Sequence, residues 1–226
     1  MKLMLDTANL EAIRLYQDFL PLSGVTTNPS IIKKEGRINF FAHLRQIRQI
    51  IGRGQSLHVQ VVALTAQEML AEADAVLDKV DRDVYIKVPV TAEGLKVIKL
   101  LRKSGVHTTA TAVYSKMQAY LAIAAGADYV APYYNRMENL NSDAAATIAA
   151  IADEINRTAS SAQILGASYK NIEQINRTLE AGGQAVTVAP ELLEQALTLP
   201  SVNQAVQAFR NDWFAVFGVG KIIADL

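Results

Sequence analysis

The feature that most constrains this sequence is an alternation, repeated eight times, of a short apolar run with a longer segment of helical period. The runs are bounded by Gly, Pro, Asn or Asp, as strand ends usually are. Most are almost continuously apolar, which is typical of strands covered on both faces. The alternation therefore predicts a parallel sheet surrounded by helices. The predicted strands are residues 3–5, 24–27, 57–62, 84–88, 107–113, 129–131, 163–167 and 185–188.

The segments between these runs carry apolar residues at helical spacing. In residues 91–104, Leu95, Ile98 and Leu101 lie three residues apart, and Gly105 follows the segment as a helix-ending residue would. The predicted helices are residues 10–20, 40–51, 65–80, 91–104, 115–125, 143–158, 172–181 and 190–197.

Eight strand–helix units use nearly all of the 226 residues, close to the ~250 residues typical of a (β/α)8 TIM barrel. The competing fold, an open doubly wound sheet, predicts a glycine-rich phosphate loop after the first strand. Residues 6–9 follow that strand and contain no glycine. We therefore predict an α/β fold in which residues 1–226 form a single TIM-barrel domain, with residues 201–226 as a C-terminal helix and tail.

Composition excludes several classes of function. The 22 Lys and Arg residues balance 22 Asp and Glu residues, whereas a protein that binds nucleic acid or a membrane surface relies on a concentrated basic field. Cysteine is absent, so thiolate metal sites and cysteine nucleophiles are excluded, and no metal centre is indicated. Asp6 interrupts the apolar core that a signal peptide needs, and no apolar stretch approaches the ~20 residues that span a bilayer. We expect a cytoplasmic protein.

Polar residues interrupt or follow every predicted strand. In a TIM barrel, functional side chains lie at the carboxyl ends of the strands or in the loops after them. The candidates selected by this test are Asp6, Thr26, Thr27, Asn28, Gln60, Lys87, Thr111, Tyr133, Arg136, Ser168 and Thr187.

Lys87 is the most informative candidate because it lies inside an otherwise apolar strand. A strand lysine is usually an edge or snorkelling residue. A closed barrel has no edge strand, so a lysine that points inside must be desolvated or paired. Desolvation lowers a lysine pKa below its usual value of about 10.4, and the neutral amine is a nucleophile toward carbonyl groups. Lys87 therefore predicts Schiff-base chemistry.

Asp6 and Asn28 each allow two interpretations. Asp6 is either the N-cap of the helix that begins near Leu10 or a carboxylate that orients the lysine and a substrate hydroxyl. Asn28 precedes Pro29 and Ser30, a combination typical of a turn, but its amide could equally hold a hydroxylated ligand.

Two further strand ends offer a phosphate site. Arg136 and Ser168 follow the sixth and seventh strands, and Lys170 lies two residues further on. Each alone is typical of a surface loop, but together they supply a guanidinium fork, a hydroxyl and an ammonium. The three histidines are not candidates for this site. His43 lies in a predicted helix. His58 and His107 lie at strand starts, and residues at that end of a TIM barrel usually serve stability and not function.

Several of these segments resemble the small transaldolase family. The most specific are GVTTNPS at residues 24–30 and KVPVTAEGL at residues 87–95, and the resemblance extends over nearly the whole chain. The closer likeness is to the fructose-6-phosphate aldolase branch. Gln60 stands where the transaldolase branch has a glutamate, and Tyr133 stands where that branch typically has a phenylalanine.

The resemblance implies a class I aldol mechanism with no metal and no cofactor. Lys87 would form the Schiff base with fructose 6-phosphate, and glyceraldehyde 3-phosphate and dihydroxyacetone would be released. Asp6 and Asn28 would hold the dihydroxyacetone moiety and the lysine. The implied positions for a catalytic water are Gln60, Thr111 and Tyr133, with Tyr133 as proton donor. The implied phosphate contacts are Arg136 and Ser168, with Lys170 as a weaker candidate. Thr26 and Ser30 would lie behind the residues that contact the substrate.

The C-terminal segment predicts an amphipathic helix, with apolar side chains at Val202, Val206, Phe209, Trp213 and Phe217. This face either packs on its own barrel or forms a subunit interface. The resemblance implies the second, because members of the family form rings of five, often doubled to ten, through this helix.

Two other functions stay open. The first is transaldolase activity, in which the three-carbon unit passes to erythrose 4-phosphate. The second is a barrel that binds sugar phosphates without catalysis. A third hypothesis, that the barrel is an isomerase, is weaker, because an isomerase would not need a buried lysine on the fourth strand.

Overall fold

The computed structural model describes residues 1–226 and contains eight parallel strands in a closed barrel. Each strand pairs with its neighbours in chain order, and the last pairs with the first. The prediction of a (β/α)8 TIM barrel is confirmed, and the doubly wound alternative is wrong. The strands are β1 (Lys2–Asp6), β2 (Leu22–Thr26), β3 (Ser56–Gln60), β4 (Tyr85–Pro89), β5 (Thr108–Val113), β6 (Tyr129–Pro132), β7 (Gln163–Gly166) and β8 (Ala185–Val188).

All eight predicted helices are present, together with the C-terminal helix. Two helices of six residues each, α2 and α7, were not predicted, because so short a segment shows no helical period. A 3-10 turn at Ile223–Asp225 follows the last helix. The helices are α1 (Leu10–Phe19), α2 (Pro29–Lys34), α3 (Phe40–Ile51), α4 (Ala66–Lys79), α5 (Ala92–Lys103), α6 (Lys116–Ala125), α7 (Tyr134–Asn139), α8 (Ala144–Arg157), α9 (Ile172–Glu180), α10 (Pro190–Leu197) and α11 (Pro200–Phe217).

Side-chain caps fix where most of the barrel's helices begin. In each case a short polar side chain accepts a hydrogen bond from a backbone N–H of the first turn, an interaction that stabilises a helix by about 0.5–2 kcal/mol. Six of these caps follow a strand within a few residues, and Asn39 and Asp143 follow the short helices α2 and α7. The capping residues are Asn9, Asn28, Asn39, Thr65, Thr91, Ser115, Asp143 and Asn171.

The chain divides into two compact units, Met1–Pro190 and Glu191–Leu226. The first contains the barrel. The second contains α10 and α11, and in it the Trp213 indole N–H donates to the Lys221 carbonyl at 2.9 Å. Helix α11 carries the predicted apolar positions, and Phe209 on it is 71% exposed. None of the helices is both long enough and apolar enough to cross a membrane.

Helix α5 packs closely on the end of β4 because residue 94 is glycine. A Cβ added at Gly94 would lie 1.9 Å from the Pro89 carbonyl oxygen, which belongs to the backbone and cannot rotate away. Glycine is therefore required for this helix to lie against the strand that carries Lys87.

We expect Gly94→Ala to destabilise the protein by about 1–3 kcal/mol, because the added methyl group forces α5 away from β4. Gly54→Ala is the matched control, since a Cβ at Gly54 meets no atom within 4 Å. Urea denaturation followed by circular dichroism measures both variants. Equal midpoints for the two variants would contradict the packing role of Gly94.

Candidate active site

The carboxyl-terminal mouth of the barrel holds a cavity of about 390 Å³. Residues at the ends of seven strands, β1 to β7, or in the loops that follow them line it, which is the arrangement expected for the functional face of a TIM barrel. Of the residues predicted from the sequence, the cavity is lined by Asp6, Asn28, Gln60, Lys87, Tyr133, Arg136 and Ser168. Thr26 and Thr111 are fully buried beside it.

Lys87 lies at the inner end of this cavity and is only 4% exposed. Its Nζ donates a hydrogen bond to the Thr27 carbonyl oxygen at 2.8 Å. Removal of the ammonium from water lowers the pKa of Lys87 below its usual 10.5, and the negative charge of Asp6 partly opposes this. Burial thus favours the neutral amine that nucleophilic attack requires.

Asp6 is held in place by a pair of threonines inside the barrel. The Thr26 hydroxyl donates to Asp6 Oδ1 at 2.6 Å, and Thr26 Oγ1 lies 2.7 Å from Thr187 Oγ1. Burial raises the pKa of Asp6, while Lys87 and the Thr26 hydrogen bond act in the opposite direction. The buried amine of Lys87 and the partly buried carboxylate of Asp6 therefore each moderate the desolvation cost of the other.

The capping interpretation of Asp6 is wrong. Helix α1 is capped by Asn9, whose Oδ1 accepts the Ala12 N–H at 2.9 Å. By contrast, Asn28 does cap a helix, since its Oδ1 accepts the Ile31 N–H at 3.0 Å. Because the carbonyl oxygen is used by the cap, the two amide hydrogens of Asn28 are the groups left for a ligand in the cavity.

Tyr133 and Thr111 form a hydroxyl pair across the β5 and β6 ends. Their oxygens lie 2.9 Å apart, and burial raises the pKa of Tyr133 above its usual 10.0 although the Thr111 hydrogen bond works against this rise. The phenol therefore keeps its proton at neutral pH and can donate it. Gln60 lines the same cavity from β3, where it pairs in register with Lys87.

A bulge in β5 shapes this side of the cavity. The register of β5 against β6 shifts between Ala110 and Val113, and Ala112 has a φ of 57°, in the left-handed region. Consecutive side chains of a regular strand face opposite sides of the sheet, and a bulge changes these directions locally. Here Thr111 contacts Tyr133 while the adjacent Ala112 lines the cavity, and Tyr114 follows it there.

The candidate phosphate contacts lie on two loops that are joined by backbone hydrogen bonds. The Tyr134 N–H donates to the Ala167 carbonyl at 3.0 Å, and the Asn135 N–H donates to the Ser168 carbonyl at 3.1 Å. Ser168 itself has a φ of 63°. This pairing brings Ser168 and Arg136, in the first turns of α7, to the same cavity.

Lys170 does not join that pair. It is exposed and does not line the cavity, although its N–H donates to Gln174 Oε1 at 2.7 Å. Several contributors to the site were not among the selected candidates: the Thr27 carbonyl, Ala112 and Tyr114, and the lining residues Pro29, Ser30 and Ala167. Tyr114 could have been selected, since it follows the fifth strand, but a backbone carbonyl and a left-handed alanine leave no signal in residue type.

Comparisons with known proteins identify related sequences. A family model described as "Transaldolase/Fructose-6-phosphate aldolase" matches residues 3–219. A protein of Streptococcus pneumoniae (strain ATCC 700669 / Spain 23F-1) named "Probable fructose-6-phosphate aldolase" is 48% identical over 216 residues, which cover 96% of this chain and 97% of the relative.

We expect Lys87 to react with formaldehyde and cyanoborohydride at a pH midpoint below 10.5. In Asp6→Asn the midpoint should fall further, because loss of the carboxylate charge disfavours the ammonium. Peptide mass spectrometry across a pH series measures the extent of methylation at Lys87. Glu11→Gln, which removes an exposed carboxylate on α1, is the control and should leave the midpoint unchanged. A higher midpoint in Asp6→Asn would contradict the proposed effect of Asp6.

Proposed function

Because the chain belongs to the transaldolase/fructose-6-phosphate aldolase family, we propose that it is a class I aldolase that reversibly cleaves fructose 6-phosphate to dihydroxyacetone and glyceraldehyde 3-phosphate. The observation that carries this proposal is Lys87, a buried amine with a lowered pKa at the functional mouth of the barrel. The 48% identity to a relative named as an aldolase supports it.

The proposed reaction begins with attack by the Lys87 amine on the C2 carbonyl of the sugar. The resulting carbinolamine loses water and forms an iminium. This cation withdraws electrons from C3, so that the C3–C4 bond can break when the C4 hydroxyl passes its proton to a water held by Gln60, Thr111 and Tyr133, the positions that the family resemblance implies for a catalytic water. Asp6 supports this step because its carboxylate, held by Thr26 at 2.6 Å, stabilises positive charge on Lys87.

Bond cleavage leaves an enamine on Lys87 and releases glyceraldehyde 3-phosphate. The enamine carbon then takes a proton, and water hydrolyses the iminium to give dihydroxyacetone and the free amine. We assign the role of proton donor to Tyr133, because burial raises the pKa of its phenol and keeps it protonated, although the Thr111 hydrogen bond partly opposes this rise. Gln60 cannot carry protons as a glutamate would, which favours Tyr133 in this role.

The remaining cavity residues fit the two ends of the sugar phosphate. The amide hydrogens of Asn28 can donate to hydroxyls of the dihydroxyacetone moiety. At the other end, Arg136 and Ser168 can hold the phosphate, since a guanidinium and a hydroxyl suit its oxygens. Lys170, which lies outside the cavity, is the weakest of the proposed phosphate contacts. None of these steps requires a metal ion.

We also propose that the protein acts as a homo-oligomer in the cytoplasm. The exposed apolar residues Val206 and Phe209 on α11 support an assembly, with a ring of five or ten chains implied by the family resemblance. The absence of cysteine is consistent with a reducing compartment. Sedimentation velocity measures the assembly directly, and a monomer at micromolar concentration would contradict it.

We expect the protein to release glyceraldehyde 3-phosphate from fructose 6-phosphate with no acceptor present, as a coupled dehydrogenase assay would show. Turnover that requires erythrose 4-phosphate would instead establish a transaldolase. Lys87→Met should lower the rate by about four orders of magnitude or more, because the nucleophile is lost.

Borohydride reduction in the presence of dihydroxyacetone should attach one reduced three-carbon unit to Lys87. Lys99→Met, which replaces an exposed lysine on α5, is the control and should retain both activity and labelling. An unlabelled Lys87 in an inactive wild-type protein would support the non-catalytic sugar-phosphate barrel.

We expect Tyr133→Phe to lower kcat by about 10²- to 10⁴-fold with little change in KM, because the phenol proton is lost while the ring remains. Tyr114→Phe is the matched control, since Tyr114 also lines the cavity and its ring centroid lies 5.7 Å from that of Tyr133. Borohydride labelling of Lys87 should survive in both variants. Equal rates for Tyr133→Phe and the wild type would exclude Tyr133 as the proton donor.

A further inference from the structure

The barrel holds a second cavity, of about 480 Å³, at the amino-terminal ends of its strands. It is larger than the cavity of about 390 Å³ at the opposite mouth, and it lies within the ~300–1,000 Å³ range of small-molecule sites. Its walls include Lys2, Tyr85 and Tyr129 at the starts of β1, β4 and β6, and Arg53 from the loop before β3. None of these residues takes part in the reaction proposed above.

The barrel interior beneath this cavity is unusually polar. TIM-barrel interiors are filled mainly by branched apolar residues, and buried polar groups cost free energy unless they are hydrogen-bonded. Here the fully buried His58 has both ring nitrogens paired, with Thr109 Oγ1 at 2.8 Å and Ser56 Oγ at 2.8 Å. Packing of the barrel alone does not require such a network.

An ordered stack of rings forms one wall. Tyr85 lies between His58 and His107, with ring centroids 4.6 and 4.7 Å apart and interplanar angles of 19° and 17°. The stack fixes the Tyr85 ring, yet its hydroxyl makes no hydrogen bond with the protein. The cavity therefore presents a donor whose position is set before any ligand arrives.

The charged groups of the cavity favour an anion. The Lys2 ammonium donates only to uncharged acceptors, the Tyr129 hydroxyl at 3.2 Å and Gln163 Oε1 at 3.0 Å, and Arg53 forms no ion pair. Asp83 supplies the one carboxylate of the lining. A second carboxylate, Asp128, lies behind the lining at 3.6 Å from His107, but it is already paired with Arg102 at 3.4 Å. Lys2 and Arg53, which have no ion-pair partner, therefore outnumber the one carboxylate of the lining in a chain whose formal net charge is zero.

We propose that the amino-terminal mouth binds a small phosphorylated polyol, with Lys2 and Arg53 on the phosphate and the Tyr85 hydroxyl on a hydroxyl group of the ligand. A guanidinium fork and an ammonium together suit a phosphate dianion. The free phenol supplies the contact that distinguishes a polyol ester from inorganic phosphate. This site is separate from the catalytic mouth and does not depend on the proposed aldolase activity.

The test is equilibrium dialysis with radiolabelled glycerol 3-phosphate. The probe can also enter the catalytic cavity, so the measurements use Arg136→Gln, which removes the guanidinium there. We expect this variant to retain one site per chain. Addition of Lys2→Gln and Arg53→Gln should weaken that site by about tenfold or more, because two charged donors are lost. The conservative pair Lys2→Arg and Arg53→Lys should restore most of the affinity.

Two further variants keep the test decisive. Arg14→Gln with Lys99→Gln removes two exposed cations outside both cavities and should leave binding unchanged. Tyr85→Phe keeps the ring stack but removes the free hydroxyl, and should weaken glycerol 3-phosphate by about threefold to tenfold while leaving inorganic phosphate unaffected. Loss of all binding in Arg136→Gln alone, or equal affinity in the Lys2/Arg53 and Arg14/Lys99 variants, would overturn the proposal.

Discussion

The desolvation of one amine is the constraint on which the rest of the site depends. Inside the closed barrel Lys87 is only 4% exposed, and the fold replaces most of its hydration with a backbone carbonyl at 2.8 Å and the nearby Asp6 carboxylate. Because Asp6 is itself partly removed from water, it is stabilised by the Thr26 hydroxyl, which in turn contacts the Thr187 hydroxyl. The series of polar contacts that links β4, β1, β2 and β8 thus follows from the placement of a single lysine inside the barrel.

Side chains that point into the barrel lie at two levels along β3, β4 and β5, and each level serves one mouth. On β3, β4 and β5, residues two apart share a face, so His58, Tyr85 and Thr109 precede Gln60, Lys87 and Thr111 along the barrel. The later set lines or borders the catalytic cavity. In the earlier set, Tyr85 lines the second cavity, and His58 and Thr109 lie beneath it. Each of these strands therefore contributes polar groups at two levels, and substitutions at one level can alter packing at the other.

Much of this architecture could be predicted because it follows from patterns of residue type. The alternation of apolar runs and helical segments predicted the barrel, and an amine inside an apolar strand selected Lys87. What could not be predicted depends on conformation. The left-handed backbone at Ala112 has no signature in an alanine, and six-residue helices such as α7 have no period. Asp6 and Asn9 are both suitable N-caps by type, and only the three-dimensional arrangement assigns the cap to Asn9.

The hydrogen bond from Lys87 to the Thr27 carbonyl has a consequence for the direction of attack. A neutral amine that donates one of its two N–H groups to a fixed acceptor cannot rotate freely about its Cε–Nζ bond, so its lone pair is confined to two staggered positions. In the proposed reaction, the amine then attacks the ketone from those directions alone. A main-chain oxygen, which no side-chain substitution can remove, thereby limits how the nucleophile is aimed.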